Sequence, residues 1–170
     1  TVTVTGADDF VVDGAAAYTI QTASAVSADA KYSGLNASDV SGTNSDDDTA
    51  GITVAPTSGL VTTEAGGTDT FTMVLTSEPT SDVTIGLTSS KPAEGTVSPA
   101  SVVFAATDWS TPQTVTVTGV DDKVDDDDVG YTVVTTAASS VDTNYNGRDA
   151  ANVTATNTDD DTAGVTVTPT

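Results

Sequence analysis

TVTVTG fills residues 1–6, and the same six letters return at residues 114–119. Valine and threonine alternate strictly in both places. An extended chain therefore turns Val115 and Val117 to one side and Thr114, Thr116 and Thr118 to the other. Residues 69–76 (DTFTMVLT) and 83–87 (VTIGL) continue the habit. Thr and Val favour half-buried strands, and the better helix formers Leu, Glu, Lys and Arg are scarce. A disordered acidic chain would have no reason to alternate. The pattern predicts an all-β fold.

The recurrence extends far beyond those six residues. Residues 1–57 align on 114–170 without a gap, and more than half of the pairs are identical. DDDTAG at 46–51 returns at 159–164. The offset of about 113 residues is too long for a solenoid repeat and suits whole domains in tandem. Residues 1–48 then read as the C-terminal half of a preceding repeat, 49–161 as one complete β-sandwich repeat, and 162–170 as the first strand of the next. Seven strand segments are expected in the complete repeat: 51–55 with an extension at 60–62, then 69–76, 82–88, 95–104, 113–119, 130–136 and 151–157. Turn signals separate them, among them Glu64-Ala65-Gly66-Gly67, Pro79-Thr80-Ser81, Lys91-Pro92 and Asn146-Gly147. Seven short strands in a unit of this size predict a Greek-key, Ig-like β-sandwich. The half-repeat should contribute its last three strands.

Composition narrows the chemistry. The 170 residues carry 25 Asp and Glu against four Lys and Arg, a net charge of -21, with no His and no Cys. Disulfides, thiolate metal sites and Cys or His nucleophile machinery are excluded. So acidic a chain repels nucleic acid and anionic membranes. No apolar run approaches the roughly 20 residues of a membrane span. No signal peptide opens the chain, and any such signal is expected upstream.

The acids are not scattered. Successive strands of a sandwich run alternately down and up, which sends four separate segments to one end. Glu64 lies in the turn after the first strand, and Glu94 lies between the third and fourth. Asp121, Asp122, Asp125, Asp126, Asp127 and Asp128 lie between the fifth and sixth, and Asp159, Asp160 and Asp161 follow the last. Like charges a few ångströms apart repel, and no basic cluster is at hand to neutralise them. A hard divalent cation answers the problem: Ca²⁺ takes 6–8 oxygen ligands, and Asp side chains on loops supply them. In the first copy Asp8, Asp9 and Asp13 stand where Asp121, Asp122 and Asp126 stand, and Asp46, Asp47 and Asp48 where Asp159, Asp160 and Asp161 stand. Val12, Gly14 and Ala15 stand opposite Asp125, Asp127 and Asp128, so Asp126 is the preferred ligand of its run.

The complete repeat resembles a Calx-beta domain, a calcium-binding β-sandwich of exchangers, integrin β4 and large bacterial surface proteins. The resemblance spans nearly all of 51–161. It rests on Val61-Thr62-Thr63-Glu64-Ala65-Gly66-Gly67, Ser101-Val102-Val103-Phe104, the loop after Val117-Thr118-Gly119, and Asp159-Asp160-Asp161-Thr162-Ala163-Gly164. It implies calcium ligands at Glu64, Asp121, Asp122, Asp126, Asp159, Asp160 and Asp161. Glu94 falls near a position where the family often has Asp, and Val129 departs where a further acid can stand. The wording TPQTVTVTG at 111–119 is similar to repeats of bacterial giant adhesins.

The expected function is a non-enzymatic, calcium-binding structural repeat that stiffens an extracellular rod or filament, as in the extender of a cell-surface adhesin or a biofilm matrix protein. Its partners would be neighbouring repeats, covalent or self-assembled, with no nucleic acid and no direct membrane insertion. Asp142, Asn144 and Asn146, between the last two strands, are expected to brace the junction with the preceding unit. Two alternatives stand beside this reading: a filament subunit that assembles by strand exchange, and a glycan- or protein-binding module. Three other signals are read as structural. Asp142-Thr143-Asn144-Tyr145-Asn146-Gly147 matches the front of an EF-hand loop, but the twelfth position is Val153, so a tight turn is expected. Trp109 and the tyrosines are assigned to packing. Paired carboxylates on linker loops without a lined cleft do not make a glycosidase.

Overall fold

The computed structural model describes residues 1–168. It forms two compact units, Thr1–Asp48 and a second that begins at Thr49. Both are all-β, and among the described residues no helix is long and apolar enough to cross a membrane.

The first unit holds one antiparallel hairpin, β1 (Ala16–Ile20) with β2 (Val40–Asn44), in the register Ala16↔Asn44 to Ile20↔Val40. Residues 1–6 form no strand in this unit.

The second unit is a two-sheet sandwich. Its strands are β3 (Ile52–Ala55), β4 (Leu60–Thr63), β5 (Thr68–Leu75), β6 (Val83–Ser89), β7 (Gly95–Ser98), β8 (Ser101–Phe104), β9 (Gln113–Gly119), β10 (Val129–Thr135) and β11 (Val153–Thr158). One sheet has the order β4-β11-β10-β6-β8, the other β3-β5-β9-β7. Neighbours are antiparallel except β4 and β11, which run parallel. Two of the seven expected segments are each divided between the sheets. The first breaks at Pro56 into β3 and β4, and the fourth breaks at Pro99 into β7 and β8. Proline has no amide proton to give a ladder, so the chain leaves one sheet there and enters the other. Residues 162–168 form no strand, and the rest of the expected 162–170 segment, Pro169 and Thr170, lies outside the described residues.

The alternation that predicted strands also builds the core. Phe71, Met73 and Leu75 of β5 and Val115 and Val117 of β9 face inward from one sheet. Val83, Ile85 and Leu87 of β6, Phe104 of β8, and Val133 and Val153 of β10 and β11 face them from the other. Burying each such side chain contributes about 1.5–3 kcal/mol. At one end Tyr145, fully buried, ties a loop to the sandwich. Its Oη donates to the Ser77 carbonyl at 2.7 Å and receives the Ser77 amide at 3.1 Å.

Candidate metal centre

The strand registers bring the acids together. Parallel pairing of β4 with β11 sets Thr63 beside Thr158, so both strands leave the sheet at the same end. The next residues are Glu64 and Asp159, and the Glu64 amide still donates to the Thr158 carbonyl at 3.2 Å. Antiparallel pairing of β10 with β11 sets Val129 opposite Asn157, which leaves Asp128 within reach of Asp159. The Asp159 amide donates to Asp128 Oδ1 at 3.2 Å. β9 ends at Gly119, whose amide donates to the Gly67 carbonyl, and so delivers Asp121 and Asp122 to the same place.

Two groups of carboxylates result. Oxygens of Glu64, Asp121 and Asp160 lie within 4.8 Å of one another, and so do oxygens of Glu64, Asp159 and Asp161. Glu64 belongs to both and is buried. Its Oε2 receives the Asp160 amide at 3.3 Å. Burial pushes the Glu64 carboxyl above its ordinary range; the Asp160 amide opposes that, and the charges of Asp159, Asp122 and Asp161 add to it. Asp161 is also pushed up, first by burial and then by Asp159, Asp160, Asp121 and Asp122. Its Oδ2 is buried and has no hydrogen-bond partner. A buried carboxylate oxygen without a donor is costly, and repulsion among its neighbours adds to the cost. An all-oxygen cluster of this kind fits a hard divalent cation, which would satisfy the bare oxygen and offset the repulsion together.

Local turns fix the remaining geometry. Asp122 Oδ1 receives the Val124 amide and Asp159 Oδ1 receives the Asp161 amide, both at 2.8 Å, the two-residue reach of an Asx turn. Asp159 Oδ2 receives the Asp127 amide at 3.1 Å, with Asp127 in the left-handed region at φ 64°. Asp125 Oδ2 receives the Ala163 amide at 2.7 Å and so holds the segment that leaves the sandwich.

Of the residues chosen from sequence, Glu64, Asp121, Asp159, Asp160 and Asp161 meet in the two groups, and Asp122 adds its charge beside them. Glu94 and Asp126 are in neither group. Glu94 sits at the entry to β7, with its carbonyl receiving the Val120 amide, and Asp126 is exposed on its loop. In the first unit Asp46 repeats the role of Asp159. Its Oδ2 receives the Gly14 amide at 2.6 Å and its Oδ1 the Asp48 amide at 2.9 Å. Gly14, at φ 79°, stands where Asp127 stands. Asp8, Asp9, Asp13, Asp47 and Asp48 line a small cleft around it. Burial and the charges of Asp46, Asp47, Asp8 and Asp9 raise the Asp48 carboxyl, as their counterparts raise Asp161. The first unit has no counterpart of Glu64.

Sequence reasoning missed the polar support behind the centre. Asn157 is buried; its Oδ1 receives the Thr62 hydroxyl at 3.0 Å and its Nδ2 donates to the Val120 carbonyl at 3.1 Å. Thr62 Oγ1 also lies 3.2 Å from the Tyr131 hydroxyl. A Cβ at Gly119 would collide with the Thr63 carbonyl and Asn157, so only glycine lets β9 pass this close. The signal was available in the duplication: Gly6 and Asn44 stand at the matching positions, and Asn44 Nδ2 donates to the Ala7 carbonyl at 2.7 Å.

No protein-family model matches the chain, and no curated protein is similar to it at a significant level. Several solved structures share its general all-β form. WR4, a C. elegans MSP family member, is 16% identical over 63% of this chain and 95% of its own, with a TM-score of 0.43. The periplasmic chaperone SfaE is 10% identical over 70% of this chain and 61% of its own, at 0.49. The E. coli chaperone DraB is 9% identical over 68% and 59%, at 0.44. At this level the likeness carries no functional content.

Proposed function

We propose that the second unit is a non-enzymatic calcium-binding repeat of the Calx-beta kind, and that Ca²⁺ joins the sandwich to the segment that leaves it. The observation that carries this reading is the buried, unpartnered Oδ2 of Asp161 among Glu64, Asp121, Asp159 and Asp160. Asp159, Asp160 and Asp161 lead straight into residues 162–168, so an ion bound there ties the exit of the last strand to the turn after β4. In a tandem array that linkage stiffens a string of domains into a rod, which suits an extracellular surface filament or adhesin extender, where calcium is millimolar.

Calcium titration of the chain, followed by thermal melting and small-angle X-ray scattering, tests the reading. The expected outcome is a rise in melting temperature, and a longer, narrower particle once a further repeat is joined after Asp161. Glu64→Gln separates an ion site from solvated acid loops. An ion site gives a variant that is more stable than the parent without calcium and less stable with it. Equal gains in both conditions, or no response of the parent to calcium, would sink the proposal.

A further inference from the structure

We infer that Asn157 is the positioning residue of the metal centre: it holds the three ligand-bearing segments at the spacing of a large divalent cation, and so makes the centre prefer Ca²⁺ to Mg²⁺. The inference rests on the calcium reading above. One side-chain amide joins all three segments. Asn157 itself lies on β11, two residues before Asp159. Its Oδ1 receives at 3.0 Å the hydroxyl of Thr62, which lies on β4, two residues before Glu64. Its Nδ2 donates at 3.1 Å to the carbonyl of Val120, which follows β9 and precedes Asp121. The Val120 carbonyl can only accept, so the nitrogen must face it and Oδ1 must face Thr62. Glu64, Asp121 and the run from Asp159 to Asp161 are the acids whose oxygens gather in the two groups.

An ordinary core would place an apolar side chain here. The other inward positions of these strands are apolar: Leu60 on β4, Val115 and Val117 on β9, Val153 and Ala155 on β11. Only the layer beside the carboxylates turns polar, with Thr62 and Asn157 both buried. Burying an amide costs more than burying an apolar group of its size, and its hydrogen bonds do little more than offset that cost. What the amide adds is geometry. A Cβ at Gly119 would strike Asn157 Oδ1, so β9 runs directly against it. The Val120 amide donates to the Glu94 carbonyl at 3.0 Å, and Val120 is therefore held at both its amide and its carbonyl. The first unit repeats the device with the same spacing. Asn44, two residues before Asp46, donates from Nδ2 at 2.7 Å to the carbonyl of Ala7, one residue before Asp8. A Cβ at Gly6 would strike Asn44 in turn.

Fixed spacing discriminates between the two ions. Calcium takes about 6–8 oxygens at about 2.3–2.6 Å, so it needs ligands that converge from several segments at once. Magnesium demands about 2.0–2.1 Å, keeps several of its waters and uses only one or two carboxylates. Segments tied through Asn157 keep Glu64, Asp121 and Asp159 converging without closing onto the smaller ion. Segments that drift lose the convergence that calcium needs, and they lose little that magnesium uses. Outer-shell bonds that orient ligands are worth about 10–100-fold in metal affinity.

The test is isothermal titration calorimetry of the full chain with Ca²⁺ and, separately, with Mg²⁺, well below the melting temperature. Asn157→Ala is expected to weaken calcium binding about 10–100-fold and to leave magnesium binding nearly unchanged, so the ratio of the two affinities collapses. Thr62→Val cuts only the tie to β4 and should give a smaller loss of the same kind, which Thr62→Ser restores. That pair carries the test if Asn157→Ala does not fold. Tyr145→Phe controls for lost stability alone, because its hydroxyl binds Ser77 beyond the far end of β5 from the centre. It should lower the melting temperature and leave both affinities as they were. A calcium-free readout completes the set: the Asn157 side-chain amide protons should exchange slowly in nuclear magnetic resonance spectra before any metal is added. Fast exchange there would mean that the ion builds the clamp, and would overturn the proposal. Unchanged calcium affinity in both Asn157→Ala and Thr62→Val, or equal losses for the two ions, also overturns it and leaves the calcium reading standing. A parent chain that binds no calcium removes that reading, and the proposal falls with it.

Discussion

Residues 1–48 and 114–161 carry nearly the same instructions and reach different ends. Their hairpins share one register, and their loops share Asx turns at Asp9 and Asp122, at Asp46 and Asp159, and at Asp29 and Asp142. Those features close over two to about thirty residues within each copy. TVTVTG needs more. At 114–119 it pairs with β5 on one side and β7 on the other, and at 1–6 it stays unpaired. Local hydrogen bonds are written into the duplicated sequence, whereas a central strand exists only where its neighbours do.

The comparison is broken most sharply by one substitution made twice. Val117 is 0% exposed and Val4 is 47% exposed. Val117→Asp buries an unpaired charge and should cost about 4 kcal/mol or more, enough to abolish the cooperative unfolding transition. Val4→Asp should move stability by less than about 0.5 kcal/mol. Urea unfolding followed by Trp109 fluorescence reads Val117→Asp in the second unit, and far-ultraviolet circular dichroism over the same titration reads Val4→Asp in the first. Similar costs at the two positions would mean that the first unit already has a core.

A second pair tests the acids. Asp161 and Asp48 occupy matching positions, but only Asp161 stands with a buried glutamate. At calcium about 100-fold above the dissociation constant, binding stabilises by about 2.7 kcal/mol. Asp161→Asn is expected to remove most of that calcium-dependent gain, and Asp48→Asn to leave it unchanged. Calorimetric melts with calcium and with chelator decide. A loss at Asp48 equal to that at Asp161 would show that the glutamate is dispensable.

The legible part of the molecule follows from these contrasts. Alternation exposed the strands, and the up-and-down order of a sandwich was enough to send Glu64, Asp121 and Asp159 to one end. Period-two patterning does not say which sheet a strand joins, so the transfers at Pro56 and Pro99 were hidden inside single segments. The two copies favoured Asp126 because it recurs as Asp13. Yet the loop grips its surroundings through Asp125 and Asp128, which the first copy lacks. Recurrence marks what both copies share, and the completed unit has contacts that the half does not. Asn157 was overlooked for the opposite reason: it recurs as Asn44, but a lone amide in a Thr-rich strand carries no charge pattern to draw notice.

A smaller effect is expected at the buried tyrosine. Tyr145→Phe leaves the Ser77 amide and carbonyl without their partner and should cost about 1–3 kcal/mol. Tyr32→Phe, at an exposed ring, should cost nothing measurable. Equal thermal shifts for the two variants would contradict the difference in burial.

The smallest effect lies in pH dependence, where two carboxyl groups of the completed sandwich pull in opposite directions. Burial raises the Asp142 carboxyl, but bonds from the Thr80 and Asn144 amides and the Thr80 side chain outweigh it, and the net shift is below the ordinary 3.8. A depressed carboxyl contributes stability that is full above 3.8 and is lost as pH falls through the lower folded value. Glu64 is raised above its ordinary 4.5, so in calcium-free solution stability is lost as pH rises from 4.5 through the folded value. The calcium-free chain should therefore gain stability on mild acidification and lose it again below about pH 4. Asp142→Asn should flatten only the acid-side loss, and Glu64→Gln should shrink the gain above it, leaving the share that belongs to the raised Asp161 carboxyl. Calcium, by holding Glu64 ionised, should convert that gain into a loss, because protons then compete with the ion. Melting temperatures from pH 3 to 7, with and without calcium, read all three, and a calcium-free profile that falls monotonically below pH 7 would remove Glu64 as the group that strains the completed unit.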